Sequence, residues 1–281
     1  MNEQALTARR AALEDVLHAC APLAVAVSGG VDSMTLSHYA HQALGPGALM
    51  VHAASPAVPR SATARVRDHA ARFGWKLIVL DAGEFDDEAY LANPVNRCLF
   101  CKTNLYTTLA AETERQLVSG TNLDDLGDYR PGLEAAAKQQ VRHPFVEAGI
   151  DKLAGRALAR GFGLDDIAAL PASPCLSSRV ETGIRIDATQ LPQIDAAERL
   201  ISARLDAPTV RCRVRRSGVV IELDATSYST LARQDIDRLG REIGAIMAVS
   251  PSTVSFAPYR QGSAFLRLEN EGRADSAENQ V

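Results

Sequence analysis

Apolar and charged residues alternate at helical spacing through residues 4–19, and the apolar run "LAVAV" from Leu23 to Val27 then stops at Ser-Gly-Gly. The pattern predicts a helix followed by a short buried strand. It repeats. "VDSMTLSHYAHQAL" reads as helix, "GALMVHAAS" as strand, "SATARVRDHAARFG" as helix and "KLIVLDAG" as strand. A cysteine-bearing helical stretch, the strand "RQLVSGTN" and a helix from about Gly132 follow. Strand alternating with helix is the pattern of a parallel sheet covered on both faces, whose ligands lie beyond the C-terminal ends of the strands.

The alternation breaks at "PASPCLSSR", Pro171 to Arg179, a Pro- and Ser-rich loop or hinge. Beyond a helix around Asp187 to Leu205, "TVRCRV" and "GVVIEL" read as paired strands. "YSTLARQDIDRLGREIGAIM" reads as one helix, and "STVSFA" and "AFLRL" as strands. We therefore expect an α/β domain over residues 1–183, a small α+β domain over 184–270, and a polar, disordered tail over 271–281. No internal repeat is found.

At 281 residues the chain can bury enough apolar surface for one large or two medium domains, and its 46% hydrophobic content is that of a globular protein. A formal net charge of −4 argues against coating a nucleic-acid backbone as the main source of affinity, although a local basic patch is compatible with it. The first residues lack the order of a secretory signal and no apolar run reaches the length of a membrane span, so a cytoplasmic protein is expected, with neither membrane nor nucleic acid as partner. Five cysteines, Cys20, Cys98, Cys101, Cys175 and Cys212, make an odd count that suits reduced thiols, catalysis or metal better than a disulfide framework. Cys20 and Cys212 fall at or in apolar strands and read as packing residues.

Strand, Ser-Gly-Gly and a helix opening near Asp32 place unpaired N–H groups and a hydroxyl at the positive end of a helix, where phosphate binds well. By itself Ser-Gly-Gly is also an ordinary strand-to-helix turn. No Gly-Lys-Ser or Gly-Lys-Thr follows, which excludes the kinase and GTPase loop, and the G-x-G-x-x-G dinucleotide fingerprint is absent.

The whole stretch "SGGVDS", Ser28 to Ser33, resembles the pyrophosphate loop of the adenine-nucleotide alpha hydrolase superfamily. The resemblance implies a Rossmann-like sheet that binds ATP, transfers its adenylyl group to a carbonyl or carboxylate oxygen and releases pyrophosphate. Ser28, Gly29, Gly30 and Ser33 would cradle the pyrophosphate portion and Asp32 would help to place Mg²⁺.

Further motifs narrow the likeness. "NRCLFCK", "SGTNLDDLGDYRPG" from Ser119, "PCLSSR" from Pro174, "RCR" from Arg211 and "YRQGS" from Tyr259 occur in that order. Together, over about residues 5–268, they resemble the LarE family, the sulfurtransferases that mature the nickel-pincer nucleotide cofactor of lactate racemase. The resemblance implies that ATP adenylylates a carboxylate of pyridinium-3,5-biscarboxylic acid mononucleotide, and that a sulfur nucleophile displaces AMP to leave a thiocarboxylate. It also implies a homo-oligomer, a trimer-based hexamer. The chemistry is sound: carboxylate is a poor acyl donor, acyl adenylate a good one, and a sulfur anion a strong nucleophile near neutral pH.

Cys175 matches the family's sulfur-bearing position; outside that motif it would be an ordinary loop cysteine. Arg179 beside it would lower the thiol pKa or hold a phosphate. In one form of the family a single cysteine gives up its own sulfur. In another, three cysteines hold a [4Fe–4S] cluster whose fourth iron carries sulfide supplied by a donor, and Cys98, Cys101 and Cys175 suit that form. Zinc would want a fourth ligand, and the C-x-x-C spacing alone also fits a redox pair.

Gly120, Asn122 and Asp125 fall where the family meets adenosine, with Asp128 and Arg130 following; a solvated helix cap reads equally well from these residues alone. Arg211 and Arg213 alternate on a strand and so share a face suited to a substrate phosphate, with a solvated strand face as the competing reading. Glu198 and Glu222 match acidic positions that would hold a divalent ion. Where the family often continues with His-Gly-Asp, this chain has Val214-Arg215-Arg216-Ser217. Two other functions stay open: a tRNA thiolase sharing the loop, and a regulator that binds ATP without chemistry. NAD and GMP synthetases also share the loop but leave Cys175 unexplained.

Overall fold

The computed structural model describes residues 3–127, 131–172 and 174–265. Asp128, Arg130, most of the strand expected at Ala264–Leu268 and the polar tail lie outside them; Ala264 and Phe265 themselves are not in a strand.

The helices are α1 (Glu3–Ala19), α2 (Val31–Leu44), α3 (Arg60–Phe73), α4 (Glu88–Leu91), α5 (Arg97–Glu112), α6 (Gly132–Lys138), α7 (Pro144–Glu147), α8 (Lys152–Gly161), α9 (Asp165–Ala168), α10 (Gln190–Leu205), α11 (Ala225–Ser229) and α12 (Arg233–Met247). The strands are β1 (Leu23–Ala26), β2 (Ala48–Ala53), β3 (Lys76–Leu80), β4 (Gln116–Ser119), β5 (Val210–Arg215), β6 (Gly218–Leu223) and β7 (Val254–Pro258).

The first four strands form one parallel sheet in the order β3-β2-β1-β4, with Leu23 opposite Ala48 on one side and Gln116 on the other. Because side chains alternate across a strand, the sheet feeds two cores. Leu23, Val25, Met50 and Val118 face one, filled by Leu13 and Leu17 of α1, Met34 of α2, Phe145 and Leu158. Ala24, Leu49, Val51 and Leu117 face the other, against Tyr106 and Leu109 of α5 and Ala135 and Ala136 of α6. This is the expected α/β, Rossmann-like layering. All four strands run the same way, and β1 and β4 end side by side.

The C-terminal unit is a mixed sheet, β5-β6-β7, with β5 and β6 antiparallel and β6 and β7 parallel. α10 and α12 pack on it through Ile194, Ile201, Leu239 and Ile243. The same core takes in Tyr90 and Leu91 of α4 and, at its margin, Phe100, Cys101 and Cys175. Asn93, fully buried with φ +53°, donates from one amide to the carbonyls of Glu181 and Ile184, both at 2.9 Å. The segment before α5 is thereby locked to the chain on both sides of residue 183.

Two helices differ from expectation for local reasons. α10 starts at Gln190, three residues late, because Asp187 accepts from both the N–H and the hydroxyl of Thr189. The single helix expected from Tyr228 is two: Asp224 caps α11, and Thr230 turns its hydroxyl onto the Thr226 carbonyl where α11 ends. Short hydroxyl side chains compete with helix continuation in this way.

Candidate active site

β1 ends at Ala26 and the chain turns through Ser28-Gly29-Gly30 into α2. Gly30 is the N-cap and brings no side chain, so no side-chain cap serves the first turn of α2. The N–H groups of Val31, Asp32 and Ser33 are among those a helix leaves without internal acceptors. Ser33 Oγ accepts from the Ser28 N–H at 3.1 Å and lies 3.0 Å from Ser28 Oγ, which folds the turn into a tight loop. Gly29 has φ +82°, in the left-handed region, and a Cβ there would lie 2.7 Å from the Ala62 carbonyl of α3.

β4 delivers the next wall. An ideal Cβ at Gly120 would stand 2.7 Å from Ser33 N, so only glycine passes this close to α2. Asn122 and Asp125 then cap each other reciprocally: Asp125 N–H donates to Asn122 Oδ1 at 3.3 Å, and Asn122 N–H to Asp125 Oδ2 at 3.2 Å. Asn122 is fully buried and its Nδ2 has no hydrogen-bond partner. Burial and the neighbouring Asp125 push the Asp32 carboxyl above the usual carboxylate range, while Lys152 pulls it back. Lys152 Nζ is 3.3 Å from Asp125 Oδ1.

A cavity of about 510 Å³ opens beyond these strand ends. Its walls include Ser28, Gly30, Asp32 and Ser33 of the loop, Gly120 and Asp125 of the β4 turn, and all of Cys98, Cys101 and Cys175. The Cys175 segment is brought there by a backbone bond, Leu176 N–H to the Ala57 carbonyl at 2.8 Å, with Ala57 in the loop after β2. Of the segment read as a loop or hinge, Pro171 to Arg179, the described residues before Leu176 are irregular, with Pro171, Ala172 and Pro174 exposed, whereas Leu176–Arg179 is a buried helical turn; Tyr90 Oη bonds Ser177 Oγ at 2.6 Å beneath it.

The thiols are unalike. Cys98 is exposed to the cavity and Cys101 is half-buried. Burial pushes the Cys101 thiol up to about 12, and the cavity walls and then Cys175 raise Cys98. Lys102, on the same wall, has its ammonium 5.6 Å from the centre of the Tyr106 ring, and Tyr106 with the three thiols favours its charged form. Among the described residues no three His, Cys, Asp or Glu side chains gather closely enough to hold a metal ion.

No family model matches the sequence. The chain is 36% identical over 206 residues to the uncharacterized protein slr1717 of Synechocystis, 71% of this chain and 75% of that one. The chain belongs to the family of that protein. It is also 26% identical to the uncharacterized protein MJ0830 of Methanocaldococcus jannaschii, over 71% of this chain and 77% of that one. Against the pyridinium-3,5-bisthiocarboxylic acid mononucleotide synthase of Lactiplantibacillus plantarum the identity is 28%, over 78% of this chain and 80% of the synthase.

For the family member described here, the remaining residues singled out in the sequence lie on the C-terminal unit. Arg179, 2% exposed, makes a two-pronged pair with Glu198 at 2.9 and 3.0 Å and donates to the Pro174 carbonyl at 2.7 Å. Arg213 pairs with Glu222 at 2.9 Å and Arg215 with the same carboxylate at 2.7 Å. Ser263 donates to it at 2.6 Å. Glu198 and Glu222, which the resemblance suggested as holders of a divalent ion, are thus the partners of arginines, and the charges of Arg179 and Arg213 are already met. Arg211 shares the Arg213 face, as the strand period requires. It is half-exposed, lies over the Tyr259 ring at 5.7 Å and donates to the Ala172 carbonyl. Cys20 and Cys212 are buried in cores.

Sequence reasoning singled out neither Lys102 nor Glu84. Lys102 closes "NRCLFCK" one residue past Cys101 on α5, a detectable signal. Glu84, buried on the cavity wall with Oε2 unpartnered, follows β3 in a stretch that reads as a polar turn. Among the described residues no helix is long and apolar enough to cross a membrane.

Proposed function

We propose that this chain is an ATP-dependent sulfurtransferase that activates a carboxylate of pyridinium-3,5-biscarboxylic acid mononucleotide and converts it to a thiocarboxylate. The observation that carries the reading is the single cavity whose walls hold both the Ser28–Ser33 loop and the three thiols. The likeness to the Lactiplantibacillus plantarum synthase supports the substrate.

In the first step a carboxylate oxygen attacks the α-phosphorus of ATP. The α–β phosphoanhydride bond breaks, pyrophosphate leaves and an acyl adenylate forms. The loop N–H groups and Ser28 would hold the departing pyrophosphate, and Asp32 and Asp125, both on the cavity wall, would offer carboxylates to the Mg²⁺ that ATP carries. In the second step a sulfur anion attacks the acyl carbon, the bond to the AMP oxygen breaks and AMP leaves with the electron pair. Lys102 supplies positive charge where these anions meet. Arg211, the half-exposed arginine of the strand pair, is the residue offered to the substrate's phosphate.

Cys98, Cys101 and Cys175 are the residues that would hold a [4Fe–4S] cluster by three thiolates, and the cluster would supply an iron able to carry sulfide. The donor types fit and share one cavity; binding would need the thiols drawn together and deprotonated. Sulfide or another donor is then a partner, and an oligomer built on trimers is part of the same proposal.

The test incubates the purified protein with ATP, Mg²⁺, sulfide and the biscarboxylate, and measures AMP, pyrophosphate and product mass. AMP release that depends on the biscarboxylate, with sulfur incorporated, is expected. The variants C98S, C101S and C175S should lose sulfur incorporation while retaining pyrophosphate release. Absence of AMP in every condition refutes the enzyme reading. A mass loss of about 34 Da from Cys175 after one turnover would instead assign that residue as the sulfur source.

A further inference from the structure

The two glycines that let a phosphate approach the loop also leave its peptides free to flip, since glycine tolerates either sign of φ. A flipped peptide would turn a carbonyl oxygen, with its partial negative charge, toward the phosphate in place of an N–H. Something must set the orientation.

Within the loop, the Ser28 N–H bond to Ser33 Oγ holds one of these peptides; from outside it three further contacts act, two of them from side chains. His52 of β2, fully buried, lies with Nδ1 2.8 Å from the Val27 carbonyl. A carbonyl only accepts, so Nδ1 carries the proton; Nε2 is then the acceptor, and the Thr63 hydroxyl of α3 donates to it at 2.9 Å. Burial lowers the His52 pKa, consistent with this neutral ring. Arg65, two residues further along α3, donates from Nη1 to the Gly29 carbonyl at 2.6 Å. Between them the loop backbone at Gly29 presses on Ala62, with no room for a Cβ. His52, Thr63 and Arg65 do not line the cavity. The carbonyls they hold are therefore drawn away from it.

We propose that Arg65 and His52 are positioning residues for the loop: by fixing the carbonyls on either side of Ser28 outward, they present Ser28 and the N–H groups from Val31 onward to the phosphates of a nucleotide. This rests on reading the cavity as an ATP site. Arg65 acts through the peptide it holds, and its charge makes that hydrogen bond a strong one.

The test is isothermal titration of wild type, R65M, R65K and T63V with Mg·ATP, inorganic pyrophosphate and adenosine, alongside melting temperatures. R65M should weaken Mg·ATP and pyrophosphate by about tenfold, the worth of one charge-assisted hydrogen bond, and leave adenosine within about twofold. R65K, which keeps a donor, should recover part of the loss. T63V, which leaves the His52 ring without its hydroxyl, should weaken the phosphate ligands by about threefold in the same pattern. A general loss of fold would lower all three affinities together. The proposal is overturned if R65M binds pyrophosphate as wild type does, or if adenosine falls in proportion. Should R65M not fold, T63V decides by the same comparison. A wild-type protein that binds neither Mg·ATP nor pyrophosphate refutes the nucleotide reading itself, whatever the variants do.

Discussion

Gly120→Ala adds one methyl group at the point where the β4 turn crosses the start of α2. The added Cβ would lie 2.7 Å from Ser33 N and 2.9 Å from both Asp32 C and Ser33 Cα, all of them backbone. Ordinary contact needs the two to separate by about 0.7 Å. Neither side yields readily. Ser119, the residue before, is paired with Ala26 in the sheet and donates its N–H to the Arg142 carbonyl at 3.0 Å. α2 is buried from Ser33 to Ala40, with the Thr35 and Ser37 hydroxyls bonded back along the helix at 2.8 Å. Overpacking of this kind costs about 1–3 kcal/mol. At about 2–4 °C per kcal/mol for a chain of this size, the melting temperature should fall by about 2–12 °C. The displaced atoms are the N–H donors of the loop, and a misplacement approaching 1 Å can cost up to about 100-fold. Titration calorimetry with Mg·ATP and differential scanning calorimetry measure the two effects. A G120A protein with unchanged melting temperature and Mg·ATP affinity within about twofold of wild type would refute the close-approach argument.

Three further outcomes are expected. Glu222→Gln removes the carboxylate that meets Arg213 and Arg215, leaving Arg213 as a buried, unpaired charge; a loss of about 3–5 kcal/mol by urea denaturation is expected, and a change under about 1 kcal/mol would show that water or a neighbour meets the charge. Asp32 has its folded-state pKa above its unfolded value, so the folded state binds the extra proton and stability falls as pH rises from about 3.8 through the folded pKa. Asp32→Asn should therefore match wild type in melting temperature at the acid end and exceed it at neutral pH while losing Mg·ATP affinity; a wild-type protein that gains stability over D32N across that window contradicts the sign. Cys101, pushed up to about 12, stays a thiol at neutral pH, so iodoacetamide mapping should find its labelling slow and rising about tenfold per pH unit from pH 8 to 10; labelling at pH 7 as fast as free cysteine would disprove the burial.

Local sequence carried the fold a long way. The alternation of short apolar runs with amphipathic stretches specifies a covered parallel sheet because periodicity and burial are the same fact seen along the chain and across it. "VDSMTLSHYAHQAL" is α2 residue for residue. The loop Ser28 to Ser33 was legible too, since glycines between a strand end and a helix start create unpaired donors without reference to anything distant. Cys20 and Cys212, embedded in apolar surroundings, likewise read correctly as packing residues. Helix starts were less secure wherever a hydroxyl or carboxylate competed for the backbone, as at Asp187 and Thr230.

What the sequence left open is whatever depends on residues far apart in the chain meeting in space. Arg179 and Glu198 each had a plausible solitary role, anion holder and cation holder; tertiary contact spends them on one another, because two buried opposite charges are far less costly together than apart. His52 and Arg65 gave no signal at all, since their function lies in which carbonyls they reach, 25 and 36 residues away. The sequence by itself determined the strand, the glycine turn and the three thiols. Only the tertiary structure decided that the thiols and the turn share one cavity, because α5 carries Cys98 and Cys101 to the sheet's C-terminal edge, and bonds of Leu176 with Ala57 and of Ser177 with Tyr90 and Arg97 hold the Cys175 segment against it.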